Sequence, residues 1–243
     1  MSLTDENCNS NDLNNEEKLL CYKTALLFWE MLEDLEKRGY LRPDIRGKKG
    51  QKASFMNVLQ NVRKISNAFN VWFDVYVDKS KPDSKQKLKK IMEIGEITEE
   101  EAVYLLFSQM IFVFLQSIEE FRSALLFILR LPISVEKNGK KHAIIKKTTT
   151  LNQLFIGLKK LGLKKADLLA NLIDSNLRNG LSHSLFWFEM KDNDCSQLHL
   201  HYSEDVEFSK ISSPVSITEL FLKTRKQSII TNCLVDIIGD WFV

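Results

Sequence analysis

The sequence contains few residues that break regular structure, with only 9 glycines and 4 prolines among 243 residues. Because these two residues punctuate a chain most strongly, their scarcity excludes a fold made mainly of tight turns. The long segments between them are rich in Leu, Lys, Glu and Ile, which form helices readily. We therefore predict a mainly α-helical fold, built as a helical bundle.

Cysteine is also scarce, and no two of the four cysteines form a Cys-x-x-Cys pair. The first 15 residues are polar and give no secretory signal, so we expect unpaired thiols and a cytoplasmic location. Cys195, His199 and His201 raise a zinc hypothesis, since three such ligands can hold the ion. No second cluster accompanies them, and the sequence predicts neither a metal site nor a cofactor.

Two other absences narrow the function. There is no glycine-rich phosphate-binding loop, which disfavours nucleotide hydrolysis of the P-loop kind. There is also no uninterrupted membrane span, because Glu119, Glu120 and Arg122 fall within the apolar stretch that begins at Ala102. Charges at the centre of a bilayer helix are costly. We expect a buried helix in a protein with no membrane partner.

Positive charge is concentrated although the net charge is only +2. The segment from Pro132 to Lys165 contains nine lysines and only one acidic residue, Glu136. Such a concentration can attract a polyanion, but it is also what solvated lysine faces look like. Charge alone leaves both interpretations open.

Apolar spacing and capping residues predict the order of the elements. Residues 1–13 are predicted to be disordered, and residues 14–243 to form a single helical domain. The predicted helices span Asn15–Arg38, Ala53–Val77, Thr98–Leu131 and 151–161, followed by one from near Lys164 to the motif described below and a last one after Ser216. Thr98 with Glu101, and Ser216 with Glu219, are predicted to form capping boxes at the starts of two of these helices. Residues 134–149 are predicted to be a basic loop. Alternating residues near 185–202 predict one small β-hairpin.

The stretch "NLRNGLSHSL" at residues 176–185 joins the predicted helix to this hairpin. Arg178 and His183 are about 140° apart on a regular helix, so they share a face only where the helix bends or unwinds. Gly180 would allow this. Arginine suits phosphate oxygens, histidine transfers protons near neutral pH, and Asn179 can orient either group. The alternative is a helix end at which these side chains cap carbonyl groups.

Arg178, Asn179 and His183, with four residues between the Arg and the His, resemble the motif of the HEPN superfamily. The resemblance covers about residues 150–243, and it implies a helical, metal-independent endoribonuclease. In such enzymes the 2′-hydroxyl of the RNA attacks the adjacent phosphate and leaves a cyclic phosphate. By this resemblance, Arg178 would stabilise the developing charge, His183 would act as general base or acid, and Asn179 would position them.

The resemblance also implies partners. One histidine per motif favours a homodimer, in which two motifs supply both a proton acceptor and a proton donor. The lysines near the motif are candidate RNA-binding residues: Lys140, Lys141, Lys146, Lys147, Lys159, Lys160, Lys164 and Lys165. A role as a toxin or defence effector, with an antitoxin or nucleotidyltransferase partner, would fit. Leu185 replaces a tyrosine that some family toxins carry, and a non-catalytic binding or assembly module is the alternative.

Overall fold

The computed structural model describes residues 13–42, 82–163, 165–190 and 198–241. It is 62% helical, which confirms the predicted mainly α-helical class and helical-bundle character. The predicted helix Ala53–Val77 lies outside the described residues, as do Lys164 and Cys195. Of the segment 1–13, which is predicted to be disordered, all but residue 13 lies outside them as well.

The described residues form seven helices and two antiparallel sheets. The helices are α1 (Asn15–Lys37), α2 (Pro82–Gly95), α3 (Glu99–Ile128), α4 (Leu151–Lys160), α5 (Ala166–Ala170), α6 (Ser175–Ser182) and α7 (Ile217–Trp241). The strands are β1 (Ile133–Lys137), β2 (Lys140–Ile145), β3 (Phe186–Met190), β4 (Leu198–Tyr202) and β5 (Val215–Ser216). Strands β1 and β2 form one sheet, and the second sheet has the order β3-β4-β5.

The chain divides into two compact units. The described residues of the first unit are 13–42, 117–163, 165–173 and 229–241, and those of the second are 82–116, 174–190 and 198–228. Helices α3 and α7 contribute residues to both units. The single-domain assignment of residues 14–243 stays a prediction.

Several helices begin where the sequence places a capping residue. The Thr98 amide donates to the Glu101 carboxylate at 2.7 Å, and the Glu101 amide donates to the Thr98 hydroxyl at 3.2 Å. This reciprocal pair satisfies two amides that the first turn of α3 leaves without helical partners, and it confirms the predicted capping box. At the start of α7, the Glu219 amide donates to the Ser216 hydroxyl at 3.2 Å, as predicted.

The predicted helix from Lys164 into the motif is wrong, because α5 and α6 are separate helices with a break at residues 171–174. Asp174 ends the break: its side chain accepts a hydrogen bond from the Leu177 amide at 3.0 Å and caps α6. Aspartate favours such capping over a place inside a helix, because its short side chain competes for backbone amides.

The predicted basic loop at residues 134–149 is also wrong, since β1 and β2 form an antiparallel hairpin there. Asn138 and Gly139 connect the strands, with φ angles of 53° and 70°. A two-residue turn with positive φ at both positions matches the twist of a hairpin, and Asn-Gly is its strongest sequence signal. The antiparallel pair predicted near 185–202 is confirmed, because β3 and β4 pair from Phe186 with Tyr202 to Met190 with Leu198.

The core of the first unit contains a chain of aromatic contacts. Phe121 lies between Phe28 and Phe155, with ring centroids 5.7 Å and 6.3 Å apart. Cys21 on α1 and Cys233 on α7 are buried thiols, and their sulfur atoms are 2.9 Å apart. These contacts hold α1, α3, α4 and α7 together around one apolar centre.

The core of the second unit lies under its sheet. Phe188 on β3 packs edge-on against Tyr104 and Phe107 of α3, with centroids 5.3 Å and 5.2 Å away. Leu200 on β4 is fully buried, as is Leu220 on α7. The sheet therefore buries one face against helices and leaves the other accessible.

A test of the packing in the first unit is Gly157 on α4. A Cβ at this position would lie 2.5 Å from Cγ1 of Ile145 and 3.3 Å from the carbonyl oxygen of Ile144. We expect Gly157→Ala to lower the free energy of unfolding by about 1–3 kcal/mol, measured by urea denaturation, because the added methyl group overpacks the interface with β2.

The matched control is Gly95→Ala, where the added Cβ would meet only ordinary contacts, the nearest at 3.5 Å. Alanine has the higher helix propensity, so this variant should be as stable as the parent chain or slightly more stable. Equal stabilisation of both variants would contradict the packing argument.

Candidate functional site

The motif is carried by helix α6, which the second unit anchors at its start. The Asp174 carboxylate caps the helix and forms an ion pair with Lys223 of α7 at 2.7 Å. At the second residue of α6, the Asn176 side-chain amide donates a hydrogen bond to the Glu204 carboxylate at 2.9 Å. These contacts join α6 to α7 and to the segment after β4.

The end of α6 is a Schellman motif, a turn that satisfies the last carbonyl groups of a helix. The Leu185 amide donates to the Gly180 carbonyl at 2.9 Å, and the Ser184 amide donates to the Leu181 carbonyl at 3.3 Å. Ser184 takes the left-handed conformation that this turn requires, with φ of 57°. The chain is thereby redirected into β3, and His183 is left as the exposed C-cap residue.

The expectation that Gly180 lets the helix unwind is not met. Helix α6 continues through Gly180, and the His183 amide makes a regular helical hydrogen bond to the Asn179 carbonyl at 3.1 Å. Gly180 instead allows close packing, because a Cβ there would lie 2.6 Å from Cδ2 and 2.9 Å from Cβ of Tyr202 on β4. Gly180 therefore lets helix α6 pack closely against strand β4.

The three motif side chains have different environments. Arg178 and Asn179 are half-buried and His183 is exposed. The Arg178 guanidinium donates to Oδ1 of Asn179 at 3.1 Å. Because a guanidinium has only donors, the carboxamide oxygen must face it, and the Asn179 NH₂ group faces away as a donor. His183 follows Asn179 by one helical turn, so Asn179 lies between the other two groups along the helix surface.

The described candidate RNA-binding lysines belong to the first unit, whereas the motif belongs to the second. Lys140 and Lys141 are exposed on β2, and Lys146 and Lys147 follow it. At the end of α4, Lys159 and Lys160 are exposed as well. Two of the described members are ion-paired: Lys159 with Asp167 at 3.0 Å, and Lys165 with Glu30 at 2.9 Å. The other described lysines of the set have no ion pair within the described residues, so a nearby carboxylate does not offset their charge.

The outer face of the second sheet carries an aromatic pair beside the motif in sequence. Trp187 is 37% exposed and stacks on His201, with centroids 5.2 Å apart and planes 10° from parallel. His201 contacts the Glu189 carboxylate at 2.9 Å. Of the three aromatic residues 186–188, only Trp187 is exposed. Among the residues the structure describes, no three His, Cys, Asp or Glu side chains are grouped to hold a metal ion.

Carboxylates surround Tyr202, the residue against which Gly180 packs. Burial raises the pKa of Tyr202 to about 12, and the charges of Asp174, Glu204 and Glu219 add to the shift. A buried phenol in an acidic environment holds its proton because ionisation would place a further negative charge there. The base of the motif helix is therefore locally acidic.

Comparison with known proteins gives no relative: no family model, curated protein or solved structure matches the chain. The HEPN resemblance accordingly stays a prediction. Of the helices in the described ranges, α3 is long and apolar enough to cross a membrane, and half of its most apolar 18-residue window is buried. Core helices of soluble proteins share this property, so the absence of a membrane partner also stays a prediction.

The sign of the stability change in Gly180→Ala distinguishes the two roles considered for this glycine. Close packing against Tyr202 predicts a loss of about 1–3 kcal/mol in the free energy of unfolding. A merely flexible glycine would instead give a gain of up to about 1 kcal/mol from helix propensity. Urea denaturation measures the difference, and Ser182→Ala, an exposed position on the same helix, serves as the control.

The raised pKa of Tyr202 predicts a loss of stability at alkaline pH. The unfolded chain releases this phenol proton near pH 10, whereas the folded chain holds it to about 12. The stabilising contribution is therefore complete below about pH 10 and is lost as pH rises to about 12. Tyr202→Phe should lose less stability over this interval in urea denaturation. An identical pH profile in both proteins would contradict the assignment.

Proposed function

We propose that the chain is a metal-independent endoribonuclease of the HEPN type that acts on RNA as a homodimer. The observation that carries the proposal is the hydrogen bond between Arg178 and Asn179, one helical turn before an exposed histidine. It orients the carboxamide so that its NH₂ group and the guanidinium both offer donors, which suits a phosphate group. His183 adds an imidazole, whose ring nitrogens can accept or donate a proton.

The proposed step is an internal transesterification. The ribose 2′-oxygen forms a bond to phosphorus while the bond to the 5′-oxygen of the next nucleotide breaks, giving a 2′,3′-cyclic phosphate and a free 5′-hydroxyl. A base removes the 2′-hydroxyl proton, and an acid protonates the leaving oxygen. Arg178 stabilises the charge that develops on the phosphoryl oxygens, and Asn179 holds the phosphate or the imidazole in place.

The need for both an acid and a base supports a dimer. Each motif carries one histidine, and two copies of His183 related by a two-fold axis would provide both functions. Exposure of His183 at the end of α6 leaves it accessible to a second chain and to RNA. We assign RNA attraction to the lysines of residues 137–165, because phosphate contacts by lysine provide sequence-independent affinity.

The cellular role proposed for such an activity is that of a cytoplasmic toxin or defence effector, held in check by an antitoxin or a nucleotidyltransferase partner. Unregulated RNA cleavage would harm the cell that makes the enzyme, so a partner that restrains it belongs to this proposal. Leu185 follows His183 by two residues, at the position where some related toxins carry a tyrosine. Control through modification of a side chain at that position is therefore not part of it.

A second candidate is a non-catalytic binding or assembly module. The unbroken course of α6 favours it, because Arg178 and His183 then project about 140° apart and the guanidinium is already bonded to Asn179. In this case the three side chains would stabilise the helix end without transferring protons. The two candidates differ in whether His183 is needed for RNA cleavage.

The test is cleavage of a single-stranded RNA by the full chain in the presence of a chelator. We expect a 2′,3′-cyclic phosphate product, detected by mass spectrometry, and no cleavage of the matching DNA. His183→Ala and Arg178→Ala should each lower the rate by about 100-fold or more, since acid–base and charge-stabilising groups have effects of this size.

Ser182→Ala is the matched control, because Ser182 is exposed on the same turn and has no assigned role in the reaction. It should cleave at the parental rate, which would also exclude Ser182 as a nucleophile. Cleavage that persists in His183→Ala, or none by the parent chain, would leave the binding module as the better account. For the dimer, specific activity should fall on dilution in parallel with the dimer fraction measured by sedimentation.

A further inference from the structure

The first unit contains a basic pocket that the motif and its proposed reaction do not use. The pocket has a volume of about 650 Å³ and lies at the end of α3. Four cations line it: Arg42, Arg122, Arg130 and Lys147. Among the residues the structure describes, no aspartate or glutamate is part of the lining. A concave site of this size and sign is suited to a small anion rather than to a flat polymer surface.

Backbone hydrogen bonds between two chain segments fix the positions of Arg42 and Arg130. The Arg42 amide donates to the Ile128 carbonyl at 3.0 Å, and the Arg130 amide donates to the Tyr40 carbonyl at 2.8 Å. Leu41 and Leu129 form an antiparallel bridge between these two hydrogen bonds. The backbone positions of Arg42 and Arg130 thus follow from the fold and do not depend on their side chains.

The four cations differ in how much charge they can offer. Arg122 is paired with Glu119, and it also donates to the Thr149 carbonyl at 3.0 Å. Arg130 and Lys147 are exposed, and neither side chain has an ion pair or hydrogen bond to any described residue. These two are therefore the groups best placed to receive a new anion.

Compensation of the α3 dipole does not account for this much charge. The end of a helix carries roughly half a negative elementary charge. Glu119 pairs with Arg122. The helix end alone then falls short of balancing Arg130 and Lys147, neither of which is ion-paired within the described residues. The remaining positive potential is unbalanced by the lining and attracts an anionic ligand.

The remaining lining residues indicate which chemical group the anionic ligand carries besides its negative charge. Leu126 and Phe127 provide apolar surface, and the Arg42 guanidinium lies over the Phe127 ring, 5.6 Å from its centroid. A guanidinium stacked on an aromatic ring presents a flat surface on which a planar group can stack. Arginine also binds phosphate oxygens through two parallel hydrogen bonds.

We propose that this pocket binds a nucleoside phosphate, with the phosphates on Arg130 and Lys147 and the base against Arg42 and Phe127. The pocket volume lies within the range of about 300–1,000 Å³ found for small-molecule sites. The proposal does not depend on RNA cleavage, because the pocket belongs to the first unit and the motif to the second. Nucleotide binding and ribonuclease activity can each fail without the other.

Isothermal titration of the full chain with adenosine diphosphate tests the proposal. The diphosphate should bind, while adenosine and inorganic pyrophosphate should each bind at least about 10-fold more weakly, since each lacks one of the two contacts. Arg130→Ala and Lys147→Ala should each weaken diphosphate binding by about 10-fold. Phe127→Leu should weaken adenosine diphosphate but leave pyrophosphate unchanged.

Lys37→Ala is the matched control, because Lys37 lies in the same unit, outside the pocket, and should leave binding unchanged. Circular dichroism of each variant confirms that it is folded. No binding of the diphosphate, equal binding of pyrophosphate, or unchanged binding in both Arg130→Ala and Lys147→Ala would overturn the proposal. The proposal would also be overturned if an RNA oligonucleotide without a terminal phosphate bound more tightly than the diphosphate and displaced it. The pocket would then be part of an RNA-binding surface.

Discussion

The close approach of helix α6 to strand β4 determines where the motif lies. Gly180 permits it by leaving room for the Tyr202 ring, and Leu177 and Leu181 bury their side chains on the same side of the helix. Once that side is buried, Arg178 and Asn179 are held at its edge and His183 falls at the exposed end. Any chemistry at this site therefore depends on a contact that involves none of the proposed catalytic groups.

Electrostatics distinguishes the two units. In the second unit, Asp174, Glu204 and Glu219 lie near Tyr202, so the base of the motif helix is negative and Lys223 offsets part of it. A phosphate approaching Arg178 would meet this negative field, which makes the orientation of the guanidinium more important than net charge. In the first unit the lysines and the pocket arginines give the opposite sign. RNA attraction and phosphate chemistry are thus assigned to residues of different units.

The sequence predicted those structural features that depend on interactions between residues close in sequence. The Thr98 and Ser216 caps and the alternation in β3 and β4 depend on neighbouring residues, and the structure confirms these predictions. The β1–β2 hairpin also had its signal at Asn138-Gly139, but the lysines around it suggested a loop. The role of Gly180 and the pocket around Arg42 and Arg130 depend on segments distant in sequence. Periodicity carries no information about such contacts, so they required the structure.

The interleaving of the units has a consequence for how the chain folds during synthesis. The core of the first unit joins α1 to the last part of α7, where the sulfur atoms of Cys21 and Cys233 meet across 212 positions of sequence. Contacts between residues so distant in sequence form slowly. Helix α1 cannot pack against α7 until the residues between them have been synthesised. Until then its apolar face is open to chaperones or to other chains. The segment that completes this core is thus synthesised 212 positions after Cys21.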